Sequence, residues 1–340
     1  IAEAYLAVQR PDQAASQLRP HLANFLASLD RRDSIRGLAL YSRAELAANK
    51  PDAVLKALKP AIATNATIRN DVWLRLASGE TPDEPTASTW IELARTASSD
   101  SNVDDQVALA SAWSTLAERF PDSPAAYGQK ALAILEPLAS SQPTAPVLEL
   151  LGATLQRTGN TDRAIDAFRR AIAADPNRAS ALANLAEVFV RTGEHAEGVR
   201  LVDRALKIAG ENDPSVGFLA ASVLRRAGIA LQDQGDGEVL LARAASLSKQ
   251  LAFRDMGSLS SLAAWAQCAA DVGDFPDTAH ANTLILELPN LAPAVRLIAK
   301  NNLAYALARV RGSRSDLARA ETLAREVHDA RKDEGSLQTL

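Results

Sequence analysis

The chain has 340 residues, a length that allows two compact domains or one long array of repeats. Apolar residues make up 47% and charged residues 23%, as in an ordinary folded chain, and no apolar run of about 18 residues could span a membrane. One cysteine and four histidines exclude a disulfide framework and leave little for a metal site, while a net charge of −4 argues against a nucleic-acid partner. We therefore expect no metal, no other cofactor and no nucleic-acid ligand.

The alanine content predicts helices that pack closely. About a fifth of the residues are alanine, which has the highest helix propensity and little bulk at a helix contact. An internal repeat is visible as well, because residues 10–22 (RPDQAASQLRPHL) and 50–62 (KPDAVLKALKPAI) share one pattern of basic, Pro-Asp and Leu-basic-Pro positions. A repeated helical unit is the simplest interpretation.

The first 140 residues follow a degenerate helical rhythm. Apolar spacing predicts helix pairs at 1–9 with 11–29, 33–48 with 51–64, 67–78 with 88–98, and 103–120 with 123–140. Residues 79–89 form the least helical segment. This segment is either a long loop inside one irregular repeat or a hinge between two blocks of repeats.

The clearest unit extends from residue 145 to residue 178. An apolar or small residue, a turn glycine or a closing proline stands at each fixed offset: Leu148, Leu151, Gly152, Leu155, Gly159, Ala164, Phe168, Ala171 and Pro176. Gly159 is expected to end the first helix in a left-handed conformation, Phe168 to fill the gap between the two helices, and Pro176 to end the second. This pattern resembles the tetratricopeptide repeat, a helix–turn–helix unit of 34 residues.

Later units follow the same pattern less closely. Residues 179–212 carry Gly198 in place of the expected alanine, and 213–233 with 237–251 is a degenerate pair. The unit that begins near 259 has Thr278 and Asn282 at its small and aromatic positions. The last unit begins near 297, and its turn is about four residues too long.

The resemblance implies an all-α fold, a single right-handed superhelical solenoid of about nine antiparallel helix pairs over residues 1–340. The chain resembles a segment cut from a longer array, because Ile1 opens inside a helix and 336–340 are expected to start a further helix after a stop at Gly335. An uncapped terminal repeat would expose Leu317, Leu323 and Val327. We therefore expect either self-association of this fragment through its C-terminal end or a native chain that continues with a further helix pair.

First helices line the concave groove in the tetratricopeptide family, and their inward positions contact the partner. Carried onto this sequence, these positions are Glu149, Gln156, Asn184, Glu187, Arg191, Gln267, Asn301, Asn302, Tyr305 and Arg309. Asn184 and Asn302 stand where the family often holds a peptide backbone, a task that suits an amide because it donates and accepts. Alternatively, each amide only forms hydrogen bonds within the solenoid. No lysine lies near Glu149 or Ala183, so the carboxylate clamp of chaperone-tail binders is absent.

No catalytic motif is found in the sequence. It contains no glycine-rich phosphate loop, no HExxH and no GxSxG. His195, His280 and His328 are expected on the surface, and Cys268 is expected to be a buried structural thiol. The four tryptophans, at 73, 90, 113 and 265, are expected in the core. We interpret the chain as a non-enzyme.

These observations favour a scaffold that binds a protein or peptide in its groove. The segment NNLAYALA at 301–308 has a weak resemblance to repeats of bacterial export and surface-assembly systems. Two alternatives stay open: a repeat arm of a larger enzyme such as a glycosyltransferase, and a structural solenoid that builds oligomers. The sequence is compatible with the cytoplasm, with the periplasm and with membrane association through a further N-terminal region.

Overall fold

Every element that the computed structural model describes is a helix or a turn. The described residues are 2–7, 10–27, 102–120, 124–210, 213–289, 291–310 and 314–337, with isolated positions between 37 and 57 and at 91 and 95. There is no strand among them, which confirms the predicted all-α fold of paired helices. None of the helices in these ranges is both long enough and apolar enough to cross a membrane.

The first of two compact units extends from Ile1 to Pro176. Its helices are α1 (Ala2–Ala7), α2 (Pro11–Leu18), α3 (Leu22–Ala27), α4 (Val103–Arg119), α5 (Pro124–Ser141), α6 (Ala145–Arg157) and α7 (Thr161–Ala174). α4 packs on α5 and α6 packs on α7, as the sequence predicts. The predicted pair 67–78 with 88–98 and the segment 79–89 lie outside the described residues, apart from two isolated helical positions.

The predicted single helix over 11–29 is wrong. α2 ends at Leu18, and a 3₁₀ helix at Arg19–His21 separates it from α3. Pro20 lies in this 3₁₀ turn and has no N–H to donate to the carbonyl of Ser16, so an α-helix cannot continue through it without losing a hydrogen bond. The chain forms a 3₁₀ turn at this point instead.

The α6–α7 pair has the geometry predicted from its repeat pattern. Gly159 has a φ of 80° and ends α6 in the left-handed region, where a side chain would be strained. Phe168 is fully buried, and a Cβ added to Gly152 would lie 2.8 Å from its ring. The ring therefore rests directly on the backbone of α6, and α7 ends at Ala174, two residues before Pro176.

The second compact unit extends from Asn177 to Leu340. Its helices are α8 (Ala179–Thr192), α9 (His195–Ala209), α10 (Pro214–Ala230), α11 (Asp236–Arg254), α12 (Leu259–Asp271), α13 (Phe275–Glu287), α14 (Pro293–Arg309) and α15 (Arg314–Leu337). Each helix packs on the next one along the chain. The predicted pairs from 179 onward are all present.

Two glycines bring the backbones of α10 and α11 into contact. A Cβ added to Gly237 would lie 2.5 Å from the carbonyl oxygen of Gly228, and a Cβ added to Gly228 would lie 2.9 Å from the carbonyl oxygen of Gly237. Real Cβ atoms do not approach that closely, so both positions require glycine. The main chains of the two helices therefore approach each other closely at these two glycines, next to the side chain of Leu241.

Trp265 holds α12 and α13 together from the core of the second unit. It is 1% exposed and packs with Leu262, Ile285 and Ala299. Its Nε1–H donates to Asp277 Oδ2 at 3.2 Å, and Lys249 Nζ pairs with the same carboxylate oxygen at 2.6 Å. Residues of α11, α12 and α13 are thus fixed around one carboxylate.

The C-terminal helix differs from its prediction. α15 continues through Gly335 to Leu337, so no new helix starts at 336. A glycine inside a helix costs only about 1 kcal/mol, which lowers helix stability without ending the helix. Val327 is buried and Leu323 half-buried, whereas Leu317 is 53% exposed, so the predicted exposure holds only for Leu317.

Candidate functional site

The predicted groove residues lie on the first helix of each pair, as the repeat pattern requires. In the first unit, Glu149 and Gln156 are half-buried on α6. In the second unit, Asn184 and Glu187 are half-buried on α8, and Arg191 is exposed there. These positions lie on the first helices α6 and α8.

A pocket opens between α12, α13 and α14 in the second unit. It encloses about 240 Å³. Three predicted groove residues line it: Gln267 from α12, and Asn302 and Tyr305 from α14. The structure therefore gathers part of the predicted site in one place, while Asn301 is exposed outside this lining.

The pocket exists because α13 lacks an aromatic residue at the position where α7 has Phe168. Asn282 occupies that repeat position and Thr278 the small-residue position before it, and the side chains of both border the pocket. Phe168 fills the corresponding gap in the α6–α7 pair by resting on Gly152. A shorter side chain at the aromatic position leaves the gap open.

The pocket floor is polar and deeply buried. Asn282 is 1% exposed and Thr278 is 3% exposed. Asn282 Nδ2 donates to the backbone carbonyl of Thr278 at 2.8 Å, and Thr278 Oγ1 donates to the carbonyl of Asp274 at 2.8 Å. Since a carbonyl only accepts, the amide orientation of Asn282 is fixed, and its Oδ1 receives no hydrogen bond from the described residues.

The walls of the pocket are apolar, its rim carries both apolar and polar side chains, and the lining contains no charged residue. Ile298 is 59% exposed and Tyr305 is 50% exposed at the rim. Asn302 is also exposed and makes no hydrogen bond with another described residue. Sequence analysis missed Ile298, because polar groups were sought among the groove positions; its place at the second position of its repeat was the available signal.

An aromatic cluster continues from the rim along α14. The Arg309 guanidinium lies 4.9 Å from the Tyr305 ring centroid, and the Phe275 ring meets Tyr305 edge-on at 5.9 Å. Tyr305 is held between these neighbours rather than free in solvent. Arg309, a predicted groove residue, acts here by orienting Tyr305.

In the first unit, α4 and α6 are joined by polar contacts that the sequence did not predict. The hydroxyls of Ser114 and Thr154 lie 3.0 Å apart and are buried. Arg157 Nη1 donates to Ser114 Oγ at 2.8 Å, and Arg157 Nη2 pairs with Glu118 Oε2 at 2.9 Å. These contacts fix the spacing between two successive first helices.

The cysteine, the tryptophans and the histidines that the sequence analysis considered are the remaining residues to place. Cys268 is buried, and burial raises the pKa of its thiol above the ordinary value of 9.0, with a hydrogen bond to Ser248 opposing part of that increase. Trp113 and Trp265 are core residues as predicted, while Trp73 and Trp90 lie outside the described residues. His280 and His328 are exposed as predicted, but His195 is half-buried at the start of α9. No metal-binding group occurs in the described part of the chain.

Helices that pack in consecutive pairs along the chain define a helical-repeat protein. A family model described as the tetratricopeptide repeat matches residues 150–214, which span the α6–α7 and α8–α9 pairs. Residues 150–214 therefore match the tetratricopeptide repeat, and the paired helices of the described residues agree with a tetratricopeptide-like fold. This is a fold of protein-interaction scaffolds, and its members are generally non-catalytic. No curated protein matches the chain.

Solved structures with the same fold include human IFIT1, in a dimer with m7Gppp-AAAA, at 11% identity and a TM-score of 0.57, covering 97% of this chain and 75% of that one. YrrB, a tetratricopeptide protein with an unusual peptide-binding site, is 16% identical with a TM-score of 0.39, over 58% of this chain and 97% of that one. PilW, a type IV pilus biogenesis factor, is 18% identical with a TM-score of 0.47, over 68% and 97%. The likeness to IFIT1 shows a shared fold and nothing about ligands.

Proposed function

We propose that this protein binds a segment of a partner protein along its first helices, with the face formed by α12 and α14 as the main contact. The observation that carries the proposal is the gathering of Gln267, Asn302 and Tyr305 around one pocket. Asn302 offers an uncommitted donor and acceptor at the pocket rim. Exposed apolar side chains beside such a group are typical of a surface that a partner covers.

The other predicted groove residues extend this proposed contact. Asn184, Glu187 and Arg191 lie on α8 in the second unit, and Glu149 and Gln156 lie on α6 in the first unit. Within the second unit, an extended peptide can place backbone amides against Asn184, Glu187 and Arg191. A role in bacterial export or surface assembly belongs to this proposal as a setting for the scaffold.

Photo-crosslinking tests which face contacts the partner. A benzoylphenylalanine placed at 302 is expected to form crosslinks to bound proteins in an extract of the source cells. The same group at 207, an exposed position on the second helix α9, is the matched control. Equal crosslinking at both positions, or crosslinking at 207 alone, would contradict the proposed face.

A double substitution tests the two asparagines. Asn184→Ala with Asn302→Ala is expected to reduce crosslinking from a probe at 267 by about tenfold, because two polar contacts of roughly 0.5–1.5 kcal/mol each are lost. The melting temperature should change little, since both side chains lie at least partly in solvent. Unchanged crosslinking with a lowered melting temperature would favour the alternative in which these amides only stabilise the solenoid.

A further inference from the structure

We propose that the pocket between α12, α13 and α14 takes one tyrosine side chain of the partner, whose phenol hydroxyl donates to Asn282 Oδ1. This inference deepens the proposed function and rests on it, because the tyrosine belongs to the segment bound along the first helices. It depends on the pocket's size, on its neutral lining and on one oxygen at its floor.

The size fits a single aromatic ring. The pocket encloses about 240 Å³, and an apolar cavity of about 150 Å³ already accommodates benzene. Ala263, Ala266 and Ala270 form the α12 wall, and Ile285 and Ile298 stand opposite. Small residues on one wall and branched residues on the other leave space for a flat ring.

The floor selects a hydrogen-bond donor. Asn282 lines the pocket, and its Oδ1 receives no hydrogen bond from the described residues, while its Nδ2 donates to the carbonyl of Thr278. Covering such an acceptor without supplying a donor costs about 1–3 kcal/mol, so a ligand that supplies the donor gains that amount relative to one that does not. Phenylalanine, leucine and other purely apolar side chains leave the oxygen unsatisfied.

The lining excludes charged donors. Lysine and arginine also carry N–H groups, but no acidic side chain lines this pocket to offset the loss of hydration of a cation. The phenol hydroxyl lies at the tip of its ring, so it reaches the floor while the ring contacts the walls. The indole N–H lies on the side of its ring and would face the apolar walls. Tyrosine is the side chain that satisfies floor and walls together.

The departure from the repeat pattern gives an independent reason to assign a ligand. An aromatic residue at position 282 would fill this gap from within, as Phe168 does in its own repeat. Here the protein instead buries two polar side chains at the small and aromatic positions. A ring supplied by a partner would occupy the space that an internal ring occupies elsewhere in the chain.

Binding of p-cresol and toluene, the side-chain analogues of tyrosine and phenylalanine, tests the assignment on the full chain by ligand-observed NMR titration. We expect the wild-type protein to bind p-cresol about tenfold more tightly than toluene. Asn282→Leu should remove this preference, because it replaces the acceptor by a methyl group. Asn282→Phe should abolish binding of both compounds by filling the pocket from below.

Two further variants keep the test decisive. Ala263→Trp blocks the same pocket from an exposed position on α12, should the variants at 282 fail to fold. Lys207→Leu on α9, at an exposed position outside the pocket, should leave both affinities unchanged. Equal binding of p-cresol and toluene to wild type, p-cresol binding that survives Asn282→Phe and Ala263→Trp, or tighter binding of 3-methylindole than of p-cresol would each overturn the tyrosine assignment.

The tyrosine assignment and the proposed interaction face can be refuted independently of each other. If p-cresol does not bind but crosslinking at 302 still exceeds that at 207, the tyrosine pocket is refuted and the interaction face stands. If p-cresol binds with the expected preference while 302 and 207 crosslink equally, the proposed interaction face is refuted. In that case the pocket keeps its specificity for a phenol without being part of an extended groove.

Discussion

Replacing Phe168 by alanine should strongly destabilise the α6–α7 pair, since these two helices contain no other aromatic side chain. Phe168 is fully buried, and its ring lies against the backbone at Gly152. Truncating a core phenylalanine to alanine costs about 3–5 kcal/mol, and the cost is larger where neighbours cannot move into the cavity. Gly152 has no side chain that could do so, and we expect a loss of about 4 kcal/mol.

The loss should be local, because each repeat contacts only its neighbours. Native-state hydrogen exchange can measure it: amides in α6 and α7 should lose about 4 kcal/mol of protection. Phe253→Ala is the matched control, since Phe253 is 49% exposed and should cost only about 1 kcal/mol. Protection in α6 and α7 that falls by less than 1 kcal/mol would refute the argument that this ring supports the pair.

Three other predictions concern the turn, the thiol and the C-terminal helix. Gly159→Ala should lower the free energy of unfolding by about 1 kcal/mol in chemical denaturation, because no atom lies within 4 Å and only the left-handed φ resists a side chain; Gly257→Ala, whose φ is not in that region, is the control. Cys268 should react with maleimide at neutral pH only after unfolding, and rapid labelling of the folded protein would contradict its burial. Because burial raises the pKa of the folded thiol, the stability that the neutral thiol contributes to the protein should be complete below pH 9.0 and decline above it. Leu317→Lys should lower any self-association seen by sedimentation equilibrium, and a dimer fraction unaffected by it would exclude this exposed side chain as the contact.

Sequence reasoning was most accurate where one residue decides the backbone. Gly159 ends α6 and Pro176 follows the end of α7, because left-handed φ values and a missing N–H are local properties. It was wrong at Pro20, where the proline interrupts a helix that was predicted to continue, and at Gly335, where the glycine does not end a helix. Interrupting a helix depends on how much stability the neighbouring turns supply, which a single position does not reveal.

The pocket could be predicted only in part. Thr278 and Asn282 are recognisable in the sequence as departures from the repeat pattern, and there they indicate a weaker repeat. Their role as a pocket floor depends on how closely α12, α13 and α14 approach, which is set by the packing of Trp265, Ile285 and Ala299 rather than by any motif. A departure from a repeat consensus can be assigned a role only when the packing of the neighbouring helices is known.

The contact between Gly228 and Gly237 has a mechanical consequence. Side chains at an interface can change rotamer and let two helices slide, but two backbones that touch have no such freedom. The α10–α11 pair is therefore expected to move as one stiff body, and elastic deformation of the second unit is left to the contacts between pairs, where side chains meet. Force applied to α12 by a bound segment would bend the α11–α12 contact and leave the α10–α11 crossing unchanged.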